Sequence, residues 1–501
     1  MAPSGHTPDG ATRPAAVAWH RLLLASAVVI YAAGFSFWYP TAFSVTDEAH
    51  YVAGALSLAR FPWARSLDTF TAASMAGESP VMYPVGTALL QAPFVAVLGW
   101  RAAALASVLS LAVVTACLYR WLLEAGKSPA AVWLWLGFPP VFVLGRLAMS
   151  DLPGAAVVTV GLYAFWRGTA GGATWRPWLA AGLATGGSLL VREPLVLILG
   201  PFAAGAMIRR DRHWPVLVVG VVAGGLARLV AGQAIYGNPF AFNAVGFGFS
   251  LEAVRTTAPF FALCLLVLIP GAAVWMPAYR GWRAPECHVA TWGTVLFFLF
   301  YNYAAVAGGD LRRLVLVGRF LVPLLPLLVW CAASVLGDWR NRRQGRPAGA
   351  EVLVAWVWAG AVLAAACLVH PVVARWDRVH ARIAARVDAT LAEDAVVLAV
   401  AADVTRYVRP DLGRRRLLAA DAAPPEVVRS LVAGGHPVFL LAVERSEGVY
   451  DEELSAAARE YRVGLGATCG VAPVAEEEVA PGTRLRVHRV DGCGPGAALS
   501  P

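Results

Sequence analysis

Residues 22–51 have the sequence LLLASAVVIYAAGFSFWYPTAFSVTDEAHY, an apolar run that ends in two carboxylates and a histidine. About twenty consecutive apolar residues cross a bilayer as a helix. A carboxylate beside a bilayer is costly and is retained mainly where it faces a cavity, a partner or a reaction. The stretch therefore predicts a membrane span and makes Asp47 and Glu48 the first candidates for chemistry.

The composition extends this prediction to most of the chain. Hydrophobic residues make up 58% and charged residues 15% of the 501 residues, and similar apolar runs recur to about His370. Such runs predict an α-helical polytopic membrane protein. The first run follows a basic leader and lacks a clean small-residue cleavage site, so we expect a retained span after a disordered cytoplasmic leader, residues 1–20. The net charge is +9. The arginines that produce it lie between the apolar runs and do not cluster on one soluble face, so we interpret them as topology signals and predict no nucleic-acid partner.

Basic clusters orient the predicted spans, because cytoplasmic loops are enriched in Lys and Arg. They predict about eleven helices within residues 21–371, with the N-terminus inside, the C-terminus outside and Asp47 and Asp151 on one outer face. One predicted span is Ala130–Leu147. Pro84–Trp100 would reverse this order if it crossed, so we predict a juxtamembrane or re-entrant helix there. It closes a first outer loop, residues 42–100.

A different pattern follows His370. Short apolar runs alternate with helical patterns, which predicts a small extracytoplasmic α/β domain with a largely parallel sheet at residues 372–495, before a tail at 496–501. The predicted strands are Val396–Val400, Leu417–Ala420 and Val438–Val443, and the predicted helices are Val379–Ala392, Pro425–Ala433 and Glu452–Tyr461. We assign no catalysis to this domain, which has no Gly-rich phosphate loop. An outer compartment would permit a disulfide between Cys469 and Cys493.

Five segments in matching order resemble the integral-membrane glycosyltransferases of the GT-C type. The closest resemblance is to family 39 relatives, the protein mannosyltransferases and lipid A aminoarabinose transferases, over about residues 20–370. The segments are Asp47-Glu48 with Tyr51, Met82-Tyr83-Pro84-Val85-Gly86, Arg146-Leu147-Ala148-Met149-Ser150-Asp151, Tyr236-Gly237-Asn238-Pro239-Phe240, and Gly318-Arg319-Phe320-Leu321-Val322-Pro323-Leu324-Leu325-Pro326.

The resemblance implies transfer of a sugar from a polyprenyl-phosphate donor to an extracytoplasmic lipid, glycan or protein acceptor at the cell membrane. It implies Asp47 as the base, with Glu48 beside it. Asp151 would orient the acceptor or hold a divalent cation, and no metal site is otherwise indicated. Arginine binds phosphate bidentately, so Arg192 and Arg319 are the candidates for the donor phosphate.

Secondary candidates and simpler interpretations stand beside these roles. The secondary candidates are His50, Tyr51, Glu78 and Tyr83; family members often carry a basic residue near Glu78, and this chain does not. Both Thr46-Asp47-Glu48 and Ser150-Asp151-Leu152-Pro153 are also typical helix starts. The two arginines can reach lipid headgroups by snorkelling, and His50 can be a solvated loop residue. The alternative functions are a transporter that binds ions at the same acids and an inactive scaffold protein.

Overall fold

The structure is a computed structural model of the full chain. It describes residues 26, 42–59, 83–170, 174–236, 238–240, 251–268, 272–300, 318–342, 377–399, 407–408, 416–419, 423–445 and 459–493. Predictions that fall on other residues, including most of the first span, the segment around Glu78 and the eleventh span, lie outside the described residues.

Helices dominate the described part before residue 343. In chain order they are α1 Thr46–Ala59, α2 Val85–Leu98, α3 Leu105–Glu124, α4 Val132–Leu136, α5 Pro139–Leu144, α6 Asp151–Ala170, α7 Trp175–Val191, α8 Val196–Ile208, α9 Trp214–Tyr236, α10 Leu251–Leu263, α11 Ala272–Ala278, α12 Ala284–Phe300 and α13 Leu325–Arg342. The predicted loop helix Pro84–Trp100 is present as α2.

One predicted span is wrong as a single helix. Ala130–Leu147 is divided into a 3₁₀ turn and the short helices α4 and α5, which meet at Gly137 and Phe138. Phe138 has an extended backbone, as expected for a residue that precedes a proline. The break follows from Pro139 and Pro140, because proline removes a donor and cannot continue a helix from its preceding turn.

Among the described residues, two helical stretches are long and apolar enough to cross a membrane by length and composition. They are Trp100–Glu124, which joins a 3₁₀ turn to α3, and Trp214–Ala234 within α9. Three shorter apolar helical stretches are Val85–Leu98, Glu193–Ile208 and Val322–Gly337. The total of eleven spans remains a prediction.

The helices from α3 onward share one large apolar core, and α1 and α2 pack together in a smaller one. The large core extends from Leu111 in α3 to Ala333 in α13 and includes the buried side chains of Trp121 and Trp135. The pair α7 and α9 packs closely because glycine lies at the contact: a β-carbon on Gly182 would lie 2.2 Å from the carbonyl oxygen of Leu217. Small residues at helix interfaces allow such close backbone approach between apolar helices.

The C-terminal part forms a mixed sheet between helices. The strands are β1 Val396–Ala399, β2 Arg416–Ala419, β3 Val438–Arg445, β4 Cys469–Ala480 and β5 Thr483–Cys493. Their order is β2-β1-β3-β5-β4. Helix α14 comprises residues 377–390, α15 is Pro425–Ala433 and α16 comprises residues 459–466.

Both faces of this sheet are covered, so the inner strand β1 is apolar and buried throughout. Val397 in β1 packs with Ile383 of α14 on one face. On the other face, Leu398 packs with Val428 of α15. The α/β domain, three predicted strands and the helix Pro425–Ala433 are therefore present in the structure.

The prediction of a largely parallel sheet is wrong. The pairs β1–β2 and β1–β3 are parallel, whereas β3–β5 and β5–β4 are antiparallel. The hairpin of β4 and β5 was missed because β4 is an edge strand with a proline, three consecutive glutamates and register shifts. Edge strands tolerate such residues, and these residues hide the apolar alternation. Cys469 and Cys493, at the open end of the hairpin, form a disulfide.

Candidate active site

Five segments bring polar and charged side chains together around the start of α1. Asp47 lies in the first turn of α1 and Asp151 begins α6. Tyr83 lies two residues before the start of α2, Arg192 directly follows α7, and Arg319 lies shortly before α13. Acidic residues in a first turn interact favourably with the helix dipole. The helix-start interpretation is therefore confirmed for both aspartates and is compatible with a second role.

Asp47 is held from two sides. The Tyr83 hydroxyl donates to Asp47 Oδ1 over 3.0 Å. Arg319 Nη2 donates to Asp47 Oδ2 over 3.3 Å. The Asp47 side chain remains 28% exposed, so an incoming hydroxyl or amine can reach a carboxylate whose orientation is already fixed.

Asp151 has a different environment. Arg192 Nη1 donates to Asp151 Oδ1 over 2.6 Å, and the carboxylate side chain is 1% exposed. Its Oδ2 has no hydrogen-bond partner among the described residues. A carboxylate buried in this way is suited to fix the arginine, because the ion pair would be costly to break.

Phe320 links the two arginines. The Cζ atoms of Arg319 and Arg192 lie 4.9 and 5.1 Å from the centre of its ring, within the range of cation–π attraction. Arg192 also lies 5.8 Å from the ring centre of Phe298. The side chain of Arg192 is 12% exposed and that of Arg319 is 16% exposed, and each is paired with a carboxylate. The snorkelling interpretation does not describe this arrangement.

Glu48 is not positioned like its neighbour. Its Oε2 accepts the backbone N–H groups of Ser44 and Val45 over 2.7 and 3.1 Å, and its Oε1 accepts that of Ala148 over 2.9 Å. The contact with Val45 is the backward bond of a capping box. The residue is 2% exposed, and burial raises its pKa to about 7, against the opposing effect of these N–H groups. Glu48 therefore fixes the start of α1 to the loop before α6.

The secondary candidates surround Asp47 as aromatic neighbours. His50 stacks on Tyr83 with ring centres 5.1 Å apart, and Tyr51 meets Tyr83 edge-on at 4.9 Å. Tyr51 donates to Ser150 Oγ over 2.9 Å, which connects α1 with the start of α6. Burial lowers the pKa of His50 to about 4 and raises the pKa of Tyr51. His50 lies within α1 and is partly buried, so the interpretation of His50 as a solvated loop residue is wrong. The remaining secondary candidate, Glu78, lies outside the described residues.

A residue that the sequence analysis missed connects this region to the C-terminal part. Asp377, the first residue of α14, is paired with Arg146. It also accepts a hydrogen bond from Ser44 Oγ over 2.7 Å. No local pattern marks Asp377, whereas Phe320 and Ser150 lie inside the segments that carried the resemblance.

In the described ranges, no group of three or more His, Cys, Asp or Glu side chains could hold a metal ion.

Solved structures of another protein share this fold. ArnT from Cupriavidus metallidurans in the apo state matches with a TM-score of 0.56 and 16% identity, over 97% of this chain and 100% of that chain. ArnT from the same organism bound to undecaprenyl phosphate matches with a TM-score of 0.55 and 16% identity, over 97% and 99%. No protein-family model and no curated protein matches the chain. ArnT is a lipid A aminoarabinose transferase of the GT-C type, so the resemblance found in the sequence is confirmed at the level of the fold.

Proposed function

We propose that this chain is a GT-C type glycosyltransferase that moves a sugar from a polyprenyl-phosphate donor to an extracytoplasmic acceptor, with Asp47 as the base. One observation carries the proposal. Arg319 donates to the partly exposed carboxylate of Asp47 through Nη2, while its buried Nε has no partner among the described residues. A candidate base and a cation with spare donor capacity are thus adjacent, and transfer from a phosphate requires both.

The chemistry assigns each group a role. The acceptor hydroxyl or amine gives its proton to Asp47 as its oxygen or nitrogen forms a bond to the anomeric carbon. The bond between that carbon and the phosphate oxygen breaks, and the phosphate leaves with the electron pair. Attack on the face opposite to the phosphate inverts the anomeric centre. Tyr83 orients Asp47 through its 3.0 Å hydrogen bond.

Arg192 and Arg319 would neutralise the departing phosphate. Two guanidinium groups within about 5 Å of one aromatic ring offer several donors in fixed directions. Asp151 is then a positioning residue, because it is buried and holds Arg192. Undecaprenyl phosphate bound to an ArnT of the same fold supports a polyprenyl-phosphate donor.

The proposed setting is a multi-pass protein of the plasma membrane, with the N-terminus cytoplasmic and the C-terminal domain extracytoplasmic. The disulfide between Cys469 and Cys493 supports this placement, because disulfides persist in oxidising compartments. The contacts of Asp377 with Arg146 and Ser44 support a common side for this domain and the site.

The test is binding of undecaprenyl phosphate to the purified full chain in lipid nanodiscs. Arg319→Lys keeps the charge but removes the planar pair of donors, so we expect binding to weaken at least about tenfold. The matched control is Arg120→Lys, whose side chain is 66% exposed and paired with Glu124; it should bind like wild type. Equal binding by both variants would refute the phosphate assignment.

A comparison of lipid extracts from deletion and wild-type cells tests the reaction itself. We expect a glycan that loses one sugar and a polyprenyl-phosphate sugar that accumulates in the deletion strain. If wild type binds no polyprenyl phosphate and the extracts are identical, the transporter or scaffold function replaces this proposal.

A further inference from the structure

A cavity of about 260 Å³ lies between the first outer loop and the C-terminal domain. Phe43 and the pair Trp100-Arg101 contribute from the loop side. Residues of α14 and the segment 407–408 contribute from the domain side. The cavity is thus separate from the Asp47 and Asp151 pairs and is formed only where the two parts of the chain meet.

Its lining combines aromatic rings with one charge of each sign. Phe43 and Trp100 lie with ring centres 4.8 Å apart, and Tyr407 lines the cavity from the domain side. Arg101 and Asp388 supply a cation and an anion. Ligand sites in proteins are typically apolar with a few placed polar groups, and this lining has that character.

The chemistry of the lining selects the ligand. A pyranose has apolar C–H faces that pack on aromatic rings, and hydroxyl groups at its edge that accept from guanidinium and donate to carboxylate. One cation and one anion together favour an uncharged ligand. The volume lies just below the range of about 300–1,000 Å³ typical for drug-sized ligands, which suits one sugar unit.

The cavity is also connected to the candidate base. Phe43 is buried and lies four residues before Asp47 in the chain, and Ser44 between them donates to Asp377 of α14 over 2.7 Å. We propose that this cavity is a subsite for one uncharged hexose unit of the acceptor. The assignment of this hexose to the acceptor rests on the proposed function, whereas the assignment of a sugar site rests on the lining residues alone.

The structure offers a matched pair of variants for the test. Ala384 of α14 lines the cavity, and Ala389 of the same helix is exposed and lies outside the lining. Ala384→Leu would fill the cavity, and Ala389→Leu adds the same atoms elsewhere. Asp388→Asn keeps the shape of its side chain and removes one charge, so it serves if Ala384→Leu is poorly folded.

The measurement is saturation-transfer NMR of the full chain in nanodiscs with the methyl glycosides of glucose, galactose and mannose, and with methyl glucuronide. We expect at least one neutral glycoside to bind wild type and Ala389→Leu. Ala384→Leu should weaken that binding at least about tenfold, which is about 1.4 kcal/mol, and Asp388→Asn should weaken it less. Thermal melting and undecaprenyl phosphate binding should be unchanged in both cavity variants.

Several results would overturn the inference. They are no binding of any neutral glycoside to wild type, equal binding to Ala384→Leu, equal loss in Ala389→Leu, or a preference for the glucuronide. Failure of the proposed function is distinguishable, because it would appear as absent undecaprenyl phosphate binding in wild type while hexoside binding to the cavity persists.

Discussion

Gly86 and Leu190 are in such close contact that a β-carbon on Gly86 would lie 2.6 Å from the carbonyl oxygen of Leu190. Gly86 lies in the first turn of α2, three residues after Tyr83, and Leu190 lies near the end of α7, two residues before Arg192. This contact therefore fixes the distance between the element that orients Asp47 and the element that carries Arg192.

We predict that Gly86→Ala separates these helices. The nearest atoms are backbone, which cannot rotate away, so we expect a loss of about 1–3 kcal/mol of stability and a clear loss of transfer activity. Gly187→Ala on α7 has no atom within 4 Å of the added carbon and is the control. Thermal melting and transfer assays measure both. A Gly86→Ala protein as stable and active as its control would contradict the close packing.

Asp47→Asn should remove the proton acceptor and preserve the shape of the side chain. We expect transfer activity to fall by about 10²-fold or more, with normal insertion and undecaprenyl phosphate binding. Asp394→Asn, at an exposed position of the C-terminal domain, is the matched control. Transfer of a radiolabelled sugar measures the effect. Near-normal turnover in Asp47→Asn would exclude Asp47 as the base.

Glu48 and His50 should give opposite pH dependences of stability. Burial raises the pKa of Glu48 from 4.5 to about 7, so its contribution is complete below pH 4.5 and is lost as the pH rises through 7. Burial lowers the pKa of His50 from 6.5 to about 4, so its contribution is present above pH 6.5 and is lost as the pH falls through 4.

Melting curves between pH 4 and 8 test these signs. Relative to Glu48→Gln, wild type should lose stability as the pH rises, and relative to His50→Gln it should gain stability. Because each variant removes one titrating group, each serves as the other's control. Parallel melting profiles for wild type and both variants would contradict the raised and lowered pKa values.

Breaking the contact of Asp377 with Arg146 should loosen α14 from the segment between α5 and α6. The Arg146 side chain is 8% exposed, and leaving such a charge without its partner costs of the order of 3 kcal/mol. We expect faster hydrogen exchange across residues 377–390 in Asp377→Asn. Asp491→Asn interrupts an ion pair in which both side chains are more than half exposed and should change little. Equal exchange in both variants would show that the contact does not hold the domain.

The sequence by itself determined the starts of the site helices and several of the C-terminal elements. The acids after Thr46 and after Ser150 indicated helix starts, and α1 and α6 begin there. Pro425–Ala433 was predicted with the bounds that the structure has. These signals are local, because a helix start or an apolar period depends on residues a few positions apart.

Only the tertiary structure decided which charged groups meet. Arg319 contacts Asp47 across 272 residues, and Glu48 accepts the N–H of Ala148 across 100. Adjacent acids thus received different environments: Asp47 is partly exposed and paired with an arginine, and Glu48 is buried among backbone donors. No local pattern encodes this difference, because it depends on which helices pack closely enough, at contacts such as Gly86 with Leu190, to bring distant residues together.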